Sequence, residues 1–463
     1  MTERRMRVLL ANAPWRKPGR LGVRAGSRWP FTLDATSGET IPHYLPFPFF
    51  LAYATAVLEQ HDVPTLLIDA IALGLSDEEF YRRVEDFSPD IVLLETSTPT
   101  INTDLRNAKE IKTRLPECRI LFVGPHASIM KGKLLSDNPQ VDIILLGEYD
   151  YTLYEVYRAI LDRTDLAAVP GIVFRSGSDV VETGRRAVIE ALDELPSPAY
   201  HHLPMYNYND DFQVLEIPNV QMWASRGCPF KCIFCMWPQV MYGNHRYRTR
   251  SPEAVVDEME WLLDRYGFRG FYFDDDTFNI GKDRIIRMSR LMRARRLNVP
   301  WAVMARADTF DEETLTEMAE AGLIGIKYGI ESAVQSIVDT SGKALDLQNA
   351  VKVIQFTKRM GVKVHLTFTF GLPGETEESI KRTLDFAIEQ KTHSVQFSIT
   401  TPFPGTKYYD DLNARGMILS NNWDDYDGNH SAVMKIENVS AEALQRALDN
   451  AIRTYWKARE SWI

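Results

Sequence analysis

The sequence predicts an α/β protein in which a doubly wound (Rossmann-like) N-terminal domain precedes a partial (β/α)6 TIM-type barrel and a small, mostly helical C-terminal segment. Two observations predict this fold. Short apolar runs alternate with amphipathic helical stretches through both halves of the chain, the pattern of parallel strands joined by crossover helices. The alternation stops between residues 165 and 219, where prolines recur, so the 463 residues divide into more than one core.

The first unit, residues 1–164, contains five candidate strands separated by helical patterns. A sheet built in this order binds its ligand at the carboxyl ends of its strands. The strands are predicted at Arg7–Ala11, Thr65–Asp69, Ile91–Glu95, Ile120–Gly124 and Ile143–Gly147, and the helices at Phe49–Gln60, Asp77–Phe87 and Thr103–Arg114.

The connecting stretch, residues 165–219, is predicted to be a β-hairpin followed by a linker. Two apolar runs between Pro170 and Val181 flank a Ser-Gly pair at Ser176, which is a turn signal. Four prolines then punctuate the linker, at Pro196, Pro198, Pro204 and Pro218.

The second unit, residues 220–412, repeats the alternation six times, which predicts a partial barrel with its chemistry at the carboxyl ends of the strands. Ser251 suits the N-cap of the first barrel helix, and Pro252 suits its first turn. The C-terminal segment, residues 413–463, ends in a predicted helix, Ala441–Arg459. The barrel strands are predicted at Gln221–Ser225, Gly270–Asp274, Ala302–Ala305, Gly325–Gly329, Lys363–Phe370 and Ser394–Ile399.

The composition argues against several classes of protein. A net charge of −10 argues against a nucleic-acid-binding surface. No apolar stretch reaches the ~18 residues that a membrane-spanning helix needs. The N-terminus leads directly into an apolar strand with no secretory signal before it. We therefore expect a cytoplasmic, monomeric protein.

Three of the four cysteines are spaced C-x3-C-x2-C, just after the first strand of the second unit. Cys228, Cys232 and Cys235 on one short loop can hold three irons of a cubane cluster and leave the fourth iron open. A zinc site with His245 as a fourth ligand is one alternative, and unrelated structural thiols are another. Cys118 begins an apolar run and is predicted to be a buried structural thiol.

The cysteine motif, with Phe234 before its last cysteine, resembles the signature of the radical S-adenosylmethionine (SAM) superfamily. The resemblance implies that the three cysteines bind a [4Fe–4S] cluster that reduces SAM to methionine and a 5′-deoxyadenosyl radical. It places Phe234 beside the adenine of SAM. It further implies an oxygen-sensitive enzyme with a flavodoxin or ferredoxin-type electron donor.

Later segments resemble the SAM-binding parts of the same superfamily, in the same order along the chain. The resemblance assigns the amino group of SAM to Asp274 and Asp275, with a solvated acidic turn as an equal alternative. It assigns the SAM carboxylate and ribose to Arg306 and Glu331, with a surface salt bridge as the alternative for Glu331.

Three other stretches of the second unit have expected roles. The turns that begin at Gly371 (Gly-Leu-Pro-Gly-Glu-Thr) and Pro402 (Pro-Phe-Pro-Gly-Thr) also resemble the superfamily and are expected to shape the chain near SAM. Arg246, Arg248 and Arg250 form a basic strip that either faces an anion or is a solvated surface.

The first unit resembles the cobalamin-binding domain of one large class of radical SAM enzymes. Three phrases that each follow a predicted strand carry the resemblance, and they begin at Leu93 (Leu-Leu-Glu-Thr-Ser-Thr-Pro-Thr), Gly124 (Gly-Pro-His-Ala-Ser) and Gly147 (Gly-Glu-Tyr-Asp-Tyr-Thr-Leu). The cobalamin contacts implied by the resemblance are Thr96, Ser97, Thr98, Gly124, His126, Ala127, Gly147 and Glu148.

None of the nine histidines lies in the D-x-H-x-x-G loop by which many cobalamin proteins ligate cobalt. We therefore expect cobalt to have no protein histidine ligand. His126 is expected to pack against the corrin or to form a hydrogen bond within its loop.

The resemblance implies a cobalamin-dependent methyltransferase that uses the 5′-deoxyadenosyl radical and methylcobalamin to methylate an unactivated carbon or a phosphinate phosphorus. The same cofactors also support ring formation, ring contraction or oxidation. A non-catalytic iron–sulfur or zinc sensor is an alternative of another class, although it would not need the successive barrel motifs. A tRNA-modifying enzyme is disfavoured by the acidic charge.

The substrate, a small molecule or a peptide, is expected to enter between the two units. Tyr426 and His430 of the C-terminal segment are candidate contacts. Trp423, in the same segment, is expected to be a core residue that fastens the tail to the barrel.

Overall fold

The computed structural model describes residues 5–26, 29–210, 212–428 and 431–462. The elements of the first unit alternate as the sequence predicts, with one additional group of strands before the first helix. They are β1 (Val8–Asn12), β2 (Arg16–Lys17), β3 (Arg20–Val23), β4 (Phe31–Asp34), α1 (Phe49–Gln60), β5 (Thr65–Asp69), α2 (Asp77–Phe87), β6 (Ile91–Glu95), α3 (Ile101–Arg114), β7 (Arg119–Val123), α4 (Pro125–Asp137), β8 (Ile143–Leu145), α5 (Asp150–Leu161), β9 (Ile172–Ser176) and β10 (Asp179–Glu182).

Seven of these strands, all within the described residues, form one sheet in the order β10-β9-β8-β7-β6-β1-β5. The strands β5, β1, β6, β7 and β8 run parallel to one another. Helices cover both faces of such a sheet, so its strands are continuous apolar runs, and every residue of β1 is buried. The predicted doubly wound architecture is confirmed.

The hairpin of the connecting stretch belongs to this first sheet. β9 pairs antiparallel with β8, and β10 pairs antiparallel with β9. Gly177 occupies the turn with a φ of +62°, a left-handed conformation that glycine adopts without a steric penalty. The hairpin therefore extends the sheet of the first unit and does not stand between the two units.

A small antiparallel sheet of β2, β3 and β4 lies in the loop between β1 and α1. Its strands are two to four residues long, which is too short for an alternating apolar pattern to predict them. The loop carries Trp29, Phe31 and Tyr44 to the second unit, where their side chains line a cavity. The first unit thus contributes a wall to a site in the second.

The second unit alternates strands and helices as predicted. Its elements are β11 (Val220–Met222), β12 (Ser225–Arg226), β13 (Arg248–Thr249), α6 (Pro252–Tyr266), β14 (Phe271–Phe273), α7 (Lys282–Ala294), β15 (Trp301–Ala305), α8 (Glu312–Glu320), β16 (Leu323–Glu331), α9 (Gln335–Thr340), α10 (Leu347–Arg359), β17 (Lys363–Phe370), α11 (Glu377–Gln390), β18 (Ser394–Ile399), α12 (Lys407–Ala414) and, in the C-terminal segment, α13 (Ala441–Glu460). A π-helical stretch, Trp237–Tyr242, follows the cysteine loop.

In the part of the chain that the structure describes, six parallel strands form the barrel sheet in the order β11-β14-β15-β16-β17-β18. The predicted partial barrel is confirmed. The first predicted strand is divided in two, because β12 leaves the barrel sheet and pairs antiparallel with β13 beside the cysteine loop.

The linker closes the amino-terminal end of the barrel. Phe212, Val214 and Leu215 pack on Tyr272 of β14 and on its neighbour in β15. Gly325 of β16 leaves room for this contact, because a Cβ there would lie 2.8 Å from the ring of Phe212. The open end of the barrel is therefore the carboxyl end of its strands.

The C-terminal tail fastens to both units. α13 packs against α11 and β18 of the barrel. Trp423, which was expected to hold the tail to the barrel, packs against the cluster that contains Met236, Val240 and Phe403 of the second unit. Its ring also packs edge-on against His126 of the first unit, with ring centroids 5.2 Å apart. Tyr426 is fully buried between the tail and the barrel, and His430 lies outside the described residues.

Membrane spans were sought among the helices of the described residues. None of these helices combines the length and the apolar character that crossing a bilayer requires.

A buried ion-pair network joins the two units beside the cysteine loop. Arg226 donates to both carboxylate oxygens of Asp150, each at 3.0 Å, and to Glu148 at 3.4 Å. Arg248 donates to the other oxygen of Glu148 at 2.8 Å. All four side chains are at most 6% exposed. The network therefore fixes the start of the cysteine loop to the start of α5 in the first unit.

The basic strip of the sequence divides between three environments. Arg248 belongs to the network above, and Arg250 forms an ion pair with the buried carboxylate of Glu258. Only Arg246 is solvated, in an exposed pair with Glu190. The strip therefore contributes to the interface between the units and to packing more than to an anion-binding surface.

Replacing Arg226 with methionine is expected to destabilise the protein strongly. The substitution leaves Asp150 buried without its cation, and breaking a buried pair in this way costs about 3–5 kcal/mol. Denaturant unfolding followed by circular dichroism measures the loss. The control, Arg246→Met, removes an exposed pair and is expected to change stability by less than about 1 kcal/mol. Equal losses in the two variants would contradict the role given to the network.

Candidate active site

A cavity of about 220 Å³ opens at the carboxyl ends of the barrel strands. We call it the barrel cavity. Its walls come from the cysteine loop, from β15 to β18, and from the loop of the first unit that carries Trp29, Phe31 and Tyr44. Active sites of barrel enzymes lie at this end because the strand ends and their loops converge there.

The three clustered cysteines line the barrel cavity together. Burial raises the pKa of each of the Cys228, Cys232 and Cys235 thiols, most strongly that of Cys235. Buried thiolates are stable only when a cation or a metal compensates their charge, so this arrangement suits metal ligation. Cys118 lies elsewhere, buried in the core of the first unit as predicted.

The spacing of the three sulfurs argues against a tetrahedral zinc ion. Tetrahedral zinc at about 2.3 Å from each sulfur requires sulfurs about 3.8 Å apart. Among the described residues, the only group of three or more ligand atoms within 4.8 Å of one another is Glu59, His201 and His202 on the first unit. At least two of the three cysteine sulfurs are thus more than 4.8 Å apart, which is wider than a shared zinc ion needs. His245, the candidate fourth zinc ligand, lines a different, open pocket.

The cysteine loop is braced by a residue that the sequence did not single out. Gln239 donates from its amide nitrogen to the carbonyl oxygens of Cys232, Ile233 and Cys235, at 3.1, 3.0 and 2.8 Å. Its amide oxygen accepts the backbone N–H of Lys407 at 2.8 Å. A single side chain therefore fixes the curvature of the loop and joins it to the start of α12.

The acidic turn after β14 directs its carboxylates differently from the prediction. Asp274 lines the barrel cavity, but Asp275 does not. The Asp275 carboxylate accepts hydrogen bonds from the N–H of Ala224 at 3.2 Å and from the Ser225 hydroxyl. Burial raises the pKa of Asp275 to about 6. Asp275 therefore holds the start of the cysteine loop in place, and its carboxylate does not face the cavity.

Asp276, which the sequence analysis did not select, does line the cavity. It accepts hydrogen bonds from the N–H of Gly227 and the hydroxyl of Tyr242, both at 2.9 Å. Its negative charge contributes to the raised pKa of Cys228 and Cys235, so it lies close to the thiols. The Asp-Asp-Asp run at the end of the strand was the available signal, but only the fold shows which members face inward.

Arg306 lines the cavity, but most of its hydrogen-bonding capacity is used within the protein. Four of its five N–H groups donate to Asp308, at 2.6 and 2.9 Å, and to the carbonyls of Lys343 and Ala344, at 2.7 and 2.8 Å. Its guanidinium also lies 3.8 Å from the ring centroid of Phe230. Arg306 thus positions the segment that carries Lys343, with one N–H remaining.

Glu331 and Lys343 form a pair at the mouth of the cavity. The Lys343 ammonium donates to Glu331 at 2.9 Å, and both residues line the cavity with Cys232 nearby. Glu331 has a φ of +70°, a conformation that costs a non-glycine residue about 1–3 kcal/mol and is found at functional sites. Gly329 makes room for the pair, because a Cβ there would lie 2.8 Å from the Glu331 carboxylate.

Phe234 lines the cavity from the cysteine loop, as a residue beside a bound purine must. Its ring lies 6.1 Å from Trp29 of the first unit, centroid to centroid. Trp29 also packs against Phe403 of the turn that begins at Pro402, with ring centroids 5.7 Å apart. The aromatic wall is therefore shared by both units.

The turn after β17 is held by a buried carboxylate. Glu375 accepts the N–H groups of Gly371 and Leu372, at 2.6 and 3.0 Å, and is fully buried. Gly371 has a φ of +94°, and the Tyr408 hydroxyl donates to its carbonyl. Burial raises the pKa of Glu375 to about 7.

The residues predicted to contact cobalamin lie in three places. Thr96, Ser97 and Gly124 line a small cavity of about 20 Å³ at the carboxyl ends of β6 and β7, which we call the strand-end cavity. Gly124 approaches the neighbouring strand so closely that a Cβ would lie 2.2 Å from the carbonyl oxygen of Thr96. Residues Arg24 and Trp237, from the two units, close the same cavity.

Thr98 and His126 face the C-terminal tail. The His126 Nδ1 lies 3.2 Å from the Thr98 hydroxyl, and the ring contacts Trp423. Burial lowers the pKa of His126 to about 3, so the imidazole is neutral. The contact matches the expectation that His126 forms a hydrogen bond within a loop. Ala127, the next residue, is fully buried in the core of the first unit.

Gly147 and Glu148 face the second unit. A Cβ at Gly147 would lie 2.7 Å from the carbonyl oxygen of Met241, so the glycine permits close contact between the units. Both carboxylate oxygens of Glu148 are engaged by Arg226 and Arg248. The structure thus places Glu148 in the ion-pair network between the units and not at the strand-end cavity.

The strand-end cavity contains polar groups suited to a ligand. Among the described residues, the Nη2 of Arg24 and the indole Nε1 of Trp237 are buried without a hydrogen-bond partner. Buried donors of this kind normally bind a partner, because leaving them unpaired costs about 1–3 kcal/mol. Gly124 and these two donors would suit polar groups at the edge of a cofactor, although the cavity itself, at about 20 Å³, is too small to enclose one.

Comparison with known proteins assigns a family to each unit. Residues 224–387 match the radical SAM superfamily, and residues 43–157 match the B12 binding domain. An uncharacterised methyltransferase of Pyrococcus horikoshii is 30% identical over 410 residues, which cover 88% of this chain and 87% of that protein.

Other relatives differ in the reactions that their names describe. The cytidylyl-2-hydroxyethylphosphonate methyltransferase of Streptomyces wedmorensis is 26% identical over 87% of this chain and 85% of its own length. The anaerobic magnesium-protoporphyrin IX monomethyl ester cyclase of Cereibacter sphaeroides is 27% identical over 89% of this chain and 67% of its own length.

Solved structures share the fold. The radical SAM methyltransferase TsrM of Kitasatospora setae, with cobalamin and a [4Fe–4S] cluster bound, aligns with a TM-score of 0.67 and 17% identity, over 89% of this chain and 78% of that one. The cobalamin-dependent radical enzyme OxsB aligns with a TM-score of 0.72 and 14% identity, over 97% of this chain and 66% of that one.

Replacing Gln239 with leucine is expected to weaken cluster retention. The variant loses the amide whose two N–H groups hold three loop carbonyls. A hydrogen bond of this kind contributes about 1 kcal/mol to stability. Iron and sulfide content after anaerobic reconstitution is expected to fall, and bleaching in air to become faster. Gln445→Leu on α13 is the matched control, and wild-type cluster content in Gln239→Leu would refute the bracing role.

Replacing Glu375 with glutamine is expected to stabilise the protein at high pH. The pKa of Glu375 is raised from 4.5 to about 7, so its favourable contribution is complete below pH 4.5 and is lost as the pH rises to about 7. The glutamine removes this loss, and the variant gains up to about 3 kcal/mol over the wild type at pH 8. Thermal unfolding at pH 5 and pH 8 measures the difference, and an equal effect at both values would contradict the assignment.

Proposed function

The chain belongs to the cobalamin-binding radical SAM enzymes, and from this premise we propose that it is a methyltransferase acting on an unactivated carbon or a phosphinate phosphorus. Its cofactors are a [4Fe–4S] cluster, SAM and cobalamin. When bound, the cluster and SAM supply a radical that removes hydrogen from a substrate, and cobalamin supplies the methyl carrier.

One observation carries the proposal. The π-helical stretch Trp237–Tyr242 begins two residues after Cys235, and its Trp237 and Met241 line the strand-end cavity of the first unit. The ligands of the cluster and the cofactor-binding edge of the first sheet are thus joined by one short segment. A substrate between the two units would be within reach of both cofactors.

In the barrel cavity, the cysteines Cys228, Cys232 and Cys235 would hold the cluster. Asp276 and Lys343 line the same cavity and carry the charges that suit the amino group and the carboxylate of SAM. Arg306 would act on the amino and carboxylate groups of SAM indirectly, because its guanidinium holds the backbone carbonyl of Lys343.

The nucleoside part of SAM would lie against the other wall of the cavity. Glu331 can accept hydrogen bonds from the ribose hydroxyls, and Phe234 offers its ring to the adenine. Asp275 does not line the cavity, so we do not assign it to the amino group of SAM, and Asp274, which does line it, is the alternative to Asp276.

Cobalamin would contact the first unit through Thr96, Ser97 and Gly124. His126 is neutral, buried and bonded to Thr98, so we assign it no cobalt-ligating role. Glu148 and Gly147 are assigned to the contact between the units. An electron donor of the flavodoxin or ferredoxin type would reduce the cluster.

Ring-forming chemistry with the same cofactors is the second candidate function. Cyclases that share 27% identity with this chain are among its relatives, so the same scaffold serves reactions other than methylation. The mass of the product distinguishes the two, because methylation adds one methylene unit and cyclisation removes hydrogen.

Anaerobic reconstitution with iron, sulfide and hydroxocobalamin tests the proposal. We expect cluster absorbance, retained corrin, and deoxyadenosine after addition of dithionite and SAM. The triple variant Cys228→Ala/Cys232→Ala/Cys235→Ala is expected to lose all cluster and all SAM cleavage, whereas the control Cys118→Ala retains both. Retained cleavage in the triple variant would exclude the cluster assignment, and loss of corrin from the wild type would exclude the cobalamin assignment.

A further inference from the structure

The wall of the barrel cavity that β17 and β18 form consists of uncharged side chains. Its members are Thr367, Phe368, Thr369, Gln396, Ser398 and Ile399. Thr367 and Gln396 are register partners in this parallel pair of strands. Neighbouring strands lie about 4.8 Å apart, so the hydroxyl and the amide stand side by side on one wall.

The polar groups of Thr367 and Gln396 are available to a ligand. Among the described residues, neither the Thr367 hydroxyl nor the Gln396 amide has a hydrogen-bond partner within the protein. Gln396 is exposed although it lies in the middle of a strand, so its amide is reached from the open side of the partial barrel. Gly329, the neighbour of Thr367 on β16, has no side chain in front of the hydroxyl, from which a Cβ would lie 3.6 Å away.

The cations of the cavity, in contrast, already have partners. Each one that lines the cavity forms an ion pair with a carboxylate of the protein. The pairs are Lys327 with Asp210, Lys343 with Glu331, and Arg306 with Asp308. A charged substrate group would compete with one of these pairs, whereas an uncharged group on Gln396 disrupts none of them. The unused hydrogen-bonding capacity of the second unit's wall is therefore that of a neutral amide and a hydroxyl.

Aromatic rings from the first unit line the same cavity. They belong to Trp29, Phe31 and Tyr44, and the rings of Phe31 and Tyr44 lie 5.8 Å apart, centroid to centroid. Aromatic side chains bind flat unsaturated groups in offset or edge-to-face contact. The cavity thus combines an apolar surface for a ring with an uncharged polar surface for the substituents of that ring.

We propose that Gln396 recognises the substrate and that the substrate is a planar ring bearing an uncharged amide, as a carboxamide or a lactam edge. A glutamine amide presents an N–H donor and a carbonyl acceptor side by side, so it forms two hydrogen bonds with a group that presents the same pair. The Thr367 hydroxyl would supply a third bond. A carboxylate offers acceptors only and an amidinium donors only, so each leaves one half of the glutamine amide without a partner.

This inference deepens the proposed function by naming a substrate class for the same cavity. It rests on that function only in calling the bound molecule the substrate. The recognition itself depends on the two side chains and the aromatic rings, which are present whether or not the cluster is loaded.

Three probes of one shape test the inference without knowledge of the full substrate. Benzamide carries a ring and an uncharged amide, benzoate the same ring with a carboxylate, and benzamidine the same ring with an amidinium. Each is titrated into the reconstituted enzyme with S-adenosylhomocysteine at saturation, which occupies the SAM part of the cavity. We expect a saturable rise in melting temperature with benzamide, and binding of the other two that is weaker by about tenfold or more.

A change of charge at Gln396 locates the binding. Gln396→Glu is expected to invert the selectivity, so that benzamidine binds more tightly than benzamide, because a carboxylate pairs with an amidinium through two charge-assisted hydrogen bonds. A misfolded variant cannot produce such an inversion. Gln396→Leu is expected to lose the preference for benzamide. The matched control is Gln445→Glu on α13, which lies outside the cavity and is expected to keep the wild-type order of the three probes.

The outcomes separate this inference from the proposed function. Equal binding of the three probes, an unchanged order in Gln396→Glu, or no benzamide binding in the presence of S-adenosylhomocysteine would overturn the inference. Cluster content and deoxyadenosine formation test the proposed function independently. Selective benzamide binding without SAM cleavage would keep the recognition site and remove the radical chemistry, and SAM cleavage without selective binding would do the reverse.

Discussion

The structure depends on the buried ion pairs that Arg226 and Arg248 form with Glu148 and Asp150. Two charges of each sign are removed from water, and their mutual pairing offsets that cost, although the Nε and Nη2 groups of Arg248 are buried without a hydrogen-bond partner among the described residues. The network lies where the cysteine loop begins and where α5 of the first unit begins. It therefore determines how the cluster-binding loop is oriented relative to the first sheet, and the positions of both cavities follow from it.

The cysteine loop illustrates how a site is held by residues with no chemistry of their own. Gln239 satisfies three of its carbonyls, Asp275 holds the strand before it, and Asp276 accepts the N–H of Gly227. Such contacts keep three thiols in one orientation, which a cluster with rigid geometry requires. The left-handed conformation of Glu331 is a further cost, and the ion pair with Lys343 helps to offset it.

The barrel cavity is shaped by both units. The thiols of the second unit line it together with charged residues that suit SAM. Tyr44 and Trp29, both from the loop between β1 and α1, also line it, and Trp29 contributes to the aromatic wall. The first unit thus takes part in shaping the site where the second unit performs its chemistry.

The sequence by itself determined the architecture and the cluster ligands. Apolar runs such as Ile91–Glu95 predicted their strands to the residue, because a buried parallel strand has a strong local signal. The C-x3-C-x2-C spacing carries its chemistry in a few adjacent positions, so it needs no tertiary information. The resemblance carried by these positions and by the strand-end phrases also indicated the cofactors.

Only the tertiary structure decided which polar residues share a space. Of three adjacent aspartates, Asp274 and Asp276 face the cavity and Asp275 does not, because a change of one residue reverses the direction of a side chain near a strand end. Glu148 was selected as a cofactor contact, yet its partners lie 78 and 100 residues away. Lys343 and Gln239 had no local signal at all. Their roles arise from contacts between distant segments, and a linear pattern contains no record of such contacts.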